Sequence, residues 1–343
     1  MYSFRSDYSE GALPEIIDLL LSSNMEQTNG YGEDYFCEEA KKKIKNRLKC
    51  QSCDIHFLVG GTQTNLTLIA SALRPYEAVI AADTGHINVH ETGAIEASGH
   101  KVLTVEGVDG KVTSKAVREV VLNHEDEHMV KPAMVYISNA TEIGTIYLKE
   151  ELQELYATCK ELGLYLFVDG ARLGSALMAK NNDIAWEELC SLCDVFYIGG
   201  TKNGALFGEA LVLTNERLKK DFRYMIKQRG GLLAKGRLLG IQFLGLFQNQ
   251  NFENAAKHAN LMANKLQNVF IEKKIPLFIS TTTNQIFPIL TDTQMDILSK
   301  KYAFQIWKKM DNVHTAVRFV TSWATKEEIV EECVQDILQL PER

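Results

Sequence analysis

Three short segments carry side chains able to do chemistry, and each follows an apolar run. The first, Gly60-Gly61-Thr62-Gln63-Thr64-Asn65, lies between Ile55–Val59 and Leu66–Leu73. Glycines let a ligand approach the backbone, and a helix starting there offers free N–H groups and the positive end of its dipole. With the Thr62 and Thr64 hydroxyls, this is a cradle for a phosphate; it is equally the tight turn of any strand that passes into a helix. The second, Asp169-Gly170-Ala171-Arg172, follows Leu164–Val168. A carboxylate at the end of an apolar strand is costly to bury alone. Asp169 therefore needs a cation, either Arg172 or a protonated ligand nitrogen, unless it merely caps a helix. The third, Gly199-Gly200-Thr201-Lys202-Asn203-Gly204, follows Val195–Ile198. In a desolvated or cation-flanked site a lysine gives up its proton and becomes a Schiff-base former; on a surface loop it does not.

The combination is more specific than its parts. A phosphate cradle, a strand-end Asp and a strand-end Lys, in that order, fit one cofactor, pyridoxal 5′-phosphate (PLP). Lys202 would hold it covalently, Asp169 would keep its pyridine nitrogen protonated so that the ring draws electrons, and the cradle would take its phosphate. A nucleotide-binding oxidoreductase is the competing reading, since Asp83 stands about 20 residues beyond Gly60. That reading leaves Lys202 without work.

The elements that must position these residues are legible as periodicity. Apolar runs at Ile55–Val59, Ala78–Ala81, Lys101–Val105, Ala133–Ile137, Leu164–Val168, Val195–Ile198 and Ala210–Leu213 read as strands covered on both faces. Helical patterns such as Ser114–Asn123 and Lys149–Leu162 alternate with them. This predicts an α/β fold with an open, mostly parallel seven-stranded sheet, whose ligands lie beyond the carboxyl ends of the strands. After Leu213 the pattern changes. Glu216–Gln248 reads as helix interrupted at Gly230-Gly231, and Glu253–Lys274 as a long amphipathic helix. Strands are expected near Leu277–Ile279, Gln285–Leu290 and Ala316–Val320, then a closing helix from Lys326. The expected division is a segment 1–25 that packs on the small domain, a large domain 26–245, and a smaller α+β domain 246–343.

Composition narrows the function classes. A net charge of −7 over 343 residues gives no basic face for nucleic acid. No apolar run approaches the roughly 20 residues of a membrane span, and Met1–Asp7 shows no export signal, so a cytoplasmic location is expected. Seven cysteines, an odd number, argue against a disulfide framework. Two C-x-x-C pairs, Cys50/Cys53 and Cys190/Cys193, lie too far apart in sequence for a zinc ribbon and read as structural filler. His86 and His90, followed by Glu91, have metal-like spacing without an evident further ligand. No metal is expected.

The segments Arg5-Ser6-Asp7, Tyr31-Gly32-Glu33-Asp34, Gly61–Asn65, His86-Ile87-Asn88, Val168–Arg172, Thr201–Gly204 and Val317–Ser322 together resemble the PLP-dependent threonine aldolases. These are kin of the β-eliminating lyases on the aspartate aminotransferase-like fold (fold type I). The resemblance implies low-specificity cleavage of L-threonine, L-allo-threonine or a related β-hydroxy amino acid to glycine and an aldehyde. A β-eliminating lyase or an aminotransferase on the same fold is the alternative. It also implies roles for particular residues. Lys202 is the Schiff-base lysine, and Asp169 pairs with the ring nitrogen. His86 stacks on the ring and handles the hydroxyl proton. Gly61 and Thr62 hold the phosphate, while Ser6, Arg172 and Arg318 hold the substrate carboxylate. Tyr31 and the segment Lys227–Lys235 come from a neighbouring subunit of a homo-oligomer, a dimer or tetramer. One departure stands out: Thr141 occupies the place of a second active-site histidine and is expected at the substrate. The family's phosphate-contacting arginine is not evident in the Gly230-Gly231 region, and Lys235 is expected in its stead.

Overall fold

The computed structural model describes residues 1–341. A two-residue strand, β1 (Tyr2–Ser3), opens the chain. Seven strands then build the main sheet: β2 (Asp54–Leu58), β3 (Glu77–Ala82), β4 (Val102–Val105), β5 (Lys131–Ser138), β6 (Tyr165–Asp169), β7 (Val195–Gly199) and β8 (Glu209–Leu213). Their order is β2-β8-β7-β6-β5-β3-β4. Neighbours are parallel except at β8, which runs against both β2 and β7. The mostly parallel seven-stranded α/β sheet expected from the sequence is present.

Successive residues of a strand face opposite sides of a sheet. Ile80, Val135, Ile137, Leu166, Val168 and Phe196 accordingly join one apolar cluster, and Val79, Met134, Tyr136, Phe167, Val195 and Tyr197 join another. Both faces are covered, so the strands read as unbroken apolar runs. The reversal of β8 matters for the site. Its first residue, Glu209, pairs in register with Leu58 of β2 and Gly199 of β7, at the carboxyl ends of both. One edge thus gathers the turn 59–61, Asp169 at the end of β6, the loop 200–208 with Lys202, and Glu209. Gly170 lets β6 leave the sheet there: a Cβ at this position would fall 1.7 Å from the carbonyl oxygen of Tyr197.

The rest of the chain departs more from expectation. The stretch read as one interrupted helix is three helices, Glu216–Lys219, Phe222–Gln228 and Arg237–Leu246, broken where Asp221 and Gly230 adopt positive φ. The helix Asn251–Glu272 packs on Glu327–Leu338. A second sheet combines β9 (Gln285–Ile286), β10 (Ile289–Thr291), β12 (Gln305–Lys309) and β13 (His314–Val320), with β13 central. The strand expected at Leu277–Ile279 reduces to a single bridge from Leu277 to Pro288. Between β10 and β12, β11 (Tyr302–Ala303) pairs in parallel with β1, and Phe4 sinks into the core beside Phe319 and Tyr302.

Candidate active site

A cavity of about 1000 Å³ opens at the carboxyl edge of the main sheet. It brings together Ser6, Gly61, Thr62, His86, Asp169, Arg172, Lys202 and Arg318, contributed by segments spread over the chain. Three other expected residues do not line it. Thr141 is buried, with its hydroxyl bonded to Thr145 Oγ1 at 2.7 Å, and Ser138, Ala140 and Glu142 line the wall instead. This corrects the expectation of Thr141 at the substrate: the loop turns on its own hydrogen bonds and presents its neighbours. Tyr31 lines a separate small cavity, where the Lys227 ammonium lies 4.5 Å from its ring centre, and Lys235 is exposed.

The cradle is the first turn of the helix Gly61–Ala72, preceded by Gly60 in extended conformation. A Cβ on Gly61 would sit 3.0 Å from Tyr197 Oη, so glycine keeps this approach open. Thr62 is exposed to the cavity. Thr64 is not available as a further donor to a ligand, because it is fully buried and its hydroxyl donates to the Gly60 carbonyl at 2.9 Å.

Asp169 is buried and held in a fixed orientation. Its Oδ1 accepts from Ala171 N at 2.9 Å, and its Oδ2 accepts from Tyr136 Oη at 2.5 Å and Asn65 Nδ2 at 3.3 Å. The cationic partner considered for it, Arg172, is engaged elsewhere. Burial and the neighbouring Asp169 push the Tyr136 hydroxyl well above its ordinary range. Across the cavity, burial, and then the Arg172 charge, pull the Lys202 amine below its ordinary value. Beside it, burial pushes Glu209 up to about 8, against the opposing effects of the Thr201 hydroxyl and of Lys202. Glu209 accepts from Thr201 Oγ1 at 2.9 Å and Gly200 N at 3.2 Å. Burial thus favours the protonated form of Glu209 and the uncharged form of Lys202.

His86 sits in the short helix that follows β3. Its Nδ1 lies 2.8 Å from Glu91 Oε1, which also accepts from Asn65 Nδ2 at 2.7 Å. Glu91 is buried and therefore sets the ring orientation rather than reaching for a metal, which leaves Nε2 for the cavity. One chain of hydrogen bonds thus links His86 to Asp169 through Glu91 and Asn65.

Two guanidinium groups face the same space. Arg172 is forked on Asp7, with Nε to Oδ2 at 2.7 Å and Nη2 to Oδ1 at 3.0 Å, and Asn284 Nδ2 also binds Asp7 at 2.8 Å. Arg318 donates to Gln285 Oε1 at 3.0 Å and Gln305 Oε1 at 2.5 Å, while its buried Nε has no partner. Burial and the Arg172 charge lower Arg318 to about 10. Two guanidinium groups lining one cavity, only one of them already paired with a carboxylate, can receive a further carboxylate.

Sequence reasoning gave no role to Glu209, Asp7, Gln305 or Glu91. An acid opening the apolar run Ala210–Leu213 was the available signal for Glu209, by the same logic that singled out Asp169. Asp7 stands in the segment Arg5-Ser6-Asp7 that carries the family resemblance, without a role read for it, and Gln305 carries no local signal.

The residues present fit PLP. An anion-binding helix start, a buried amine whose charged form is disfavoured, a fixed carboxylate and an oriented imidazole surround one cavity large enough for the cofactor and a small amino acid. The fold is that of the aspartate aminotransferase-like, fold type I enzymes; an aspartate aminotransferase of Thermus thermophilus superposes with a TM-score of 0.72, covering 99% of this chain and 91% of its own, at 14% identity. Residues 3–293 match the beta-eliminating lyase family, and the chain belongs to that family of PLP enzymes. A low-specificity L-threonine aldolase of Pseudomonas sp. is 33% identical over 341 residues, which is 97% of this chain and 96% of the relative. The structure of Leishmania major threonine aldolase is 46% identical, with a TM-score of 0.97 and 98% of each chain covered.

Proposed function

We propose that the chain is a low-specificity L-threonine aldolase, which cleaves the Cα–Cβ bond of L-threonine, L-allo-threonine or a related β-hydroxy amino acid to glycine and an aldehyde. The observation that carries this reading is the guanidinium pair Arg172 and Arg318 in one cavity with Lys202 and Asp169. The threonine aldolase relatives support it. PLP, when bound, supplies the electron sink for the pair left behind when the Cα–Cβ bond breaks. Lys202 would hold the cofactor, Asp169 would neutralise its protonated ring nitrogen, and the start of the helix Gly61–Ala72, with Thr62, would take its phosphate. Arg318, the free edge of Arg172 and Ser6 take the substrate carboxylate. Forked guanidinium contacts fix orientation as well as charge, and so decide which bond at Cα is presented for cleavage. His86, oriented by Glu91, accepts the β-hydroxyl proton at Nε2, directly or through a water.

The test is product analysis of the PLP-loaded protein with L-threonine. Acetaldehyde and glycine are expected. Keto acid with ammonia would assign β-elimination instead, and a requirement for a keto-acid acceptor would assign amino transfer. Lys202→Ala should lose the visible cofactor band and turnover together; normal turnover by that variant would overturn the role of the lysine.

We also propose a cytoplasmic homo-oligomer, a dimer or tetramer, in which Tyr31 and Lys235 serve a neighbour's site. The half-exposed ring of Tyr31 and the exposed Lys235, both outside their own chain's cavity, support this. Among the described residues no helix is long and apolar enough to cross a membrane. A monomer by light scattering of the holoenzyme would sink the oligomer.

A further inference from the structure

We propose that Cys50, Cys53 and Cys190 form a binding site for one zinc ion, remote from the catalytic cavity. Their sequence positions separate the two C-x-x-C pairs, but the fold unites three of the four thiols. Cys50 follows the helix Tyr35–Leu48, where the chain reverses through Lys49 at φ 50°. Cys53 immediately precedes β2, and Cys190 lies in the short helix Leu189–Leu192 ahead of β7. The three sulfurs lie within 4.8 Å of one another. Among the described residues no other group of His, Cys, Asp or Glu converges in this way.

The geometry suits a soft dication. Three thiolates at about 2.3 Å from zinc, at tetrahedral angles, stand about 3.8 Å apart. Closing the cluster therefore needs side-chain rotation of at most about an ångström, with the backbone in place. The thiols have only weak competing bonds: Cys53 Sγ donates to the Cys50 carbonyl at 3.1 Å, and Cys50 Sγ lies 3.7 Å from Ser52 Oγ. Three thiolates and a dication leave one negative charge. The Lys45 ammonium, bonded to the Gln51 carbonyl inside the same turn, offsets it; Lys219 bonds the Ser52 carbonyl and shares its charge with Glu216. Cys53 is buried while Cys50 and Cys190 are partly exposed, so the fourth coordination position faces solvent and takes water.

The other cysteines make the contrast. Cys37, Cys159, Cys193 and Cys333 are buried as small apolar side chains, and Cys193 donates to its own helix at the Leu189 carbonyl. Only the three gathered thiols converge on one another, beside a turn that also holds the Lys45 and Lys219 ammonium groups. A disulfide between two of them would need an oxidant and leave the third unused, whereas zinc engages all three without redox change. The bound ion would tie the turn before β2 to the helix before β7, the two strands that lead to the cradle and to Lys202.

The test uses reduced holoenzyme stripped of metal and titrated with zinc against a chromophoric chelator. One zinc per chain is expected for the wild type. The double variant Cys50→Ser/Cys190→Ser is expected to bind none, with cofactor band and turnover unchanged. Cobalt(II) added to the wild type should give the intense red-region bands of a tetrahedral thiolate site, where the cofactor does not absorb; this stands even if the double variant fails to fold. Absence of zinc binding by the wild type, equal binding by a folded double variant, or a weak octahedral cobalt spectrum would overturn the proposal. So would a disulfide among these cysteines in protein isolated without air.

Discussion

Glu91→Gln isolates the contribution of one buried charge. Glu91 Oε1 sits 2.8 Å from His86 Nδ1 and accepts from Asn65 Nδ2, while its Oε2 is buried without a partner. A glutamine placed there puts its carbonyl oxygen where Oε1 was, so Asn65 and the His86 ring keep their contacts. Its amide group takes the place of the unpartnered oxygen. Geometry is retained and the negative charge is lost. If His86 takes a proton in the reaction, the imidazolium forms against a neutral amide instead of a carboxylate. A hydrogen bond to a charged group is worth about 1.5–3 kcal/mol, and a factor of ten in rate corresponds to about 1.4 kcal/mol. The expected loss is therefore about 10- to 100-fold in kcat, with KM for L-threonine and the visible cofactor band little changed. Stopped-flow or coupled aldehyde assays at saturating PLP measure it. A kcat within twofold of wild type, alongside a large loss in His86→Ala, would refute the assignment of Glu91 as the residue that positions and supports this base.

Three further outcomes follow from the geometry. Arg318→Gln should raise KM for L-threonine by about 10- to 100-fold while leaving PLP absorbance intact, because one charge-assisted contact to the carboxylate is lost; steady-state kinetics decide it. The Glu209 carboxyl is raised to about 8 by burial from an ordinary 4.5, so the stability it contributes is full below pH 4.5 and is lost as pH rises through about 8. Glu209→Gln stays neutral, and in the cofactor-free protein its melting temperature should fall less than that of wild type between pH 7 and 9; parallel curves would remove the buried proton. Gly170→Ala places a methyl 1.7 Å from the Tyr197 carbonyl oxygen and should cost at least about 3 kcal/mol in denaturant unfolding.

How far the sequence was legible depended on the range of each interaction. The main sheet could be read because its strands are covered on both faces, so each one writes itself as a local apolar run. The edge strand β12 carries exposed Lys308 and Lys309 and was invisible to the same reading, as was the two-residue pairing of β1 with β11. The turn residues Gly61, Thr62, Asp169 and Lys202 were legible because each directly follows an apolar strand. Asp7 was not, since its meaning lies in Arg172 and Asn284, far along the chain. The cysteine cluster failed for the same reason: spacing in sequence says nothing about thiols that separate helices bring together. Thr141 was misplaced because a motif position gives the loop but not the direction of a side chain inside it.

The pairing of Tyr2 with Tyr302 sets an order of events during synthesis. A ribosome releases the opening residues long before their partner strand exists, so they wait undocked while the main sheet is made. Asp7 reaches its neighbours only once both Arg172 and Asn284 have emerged and settled. Until then Arg172 lacks its counter-ion beside an amine that its charge already disfavours. The catalytic pocket is thus finished last, when the tail captures the head, and nascent chains halted before residue 302 should be folded in the middle yet inactive.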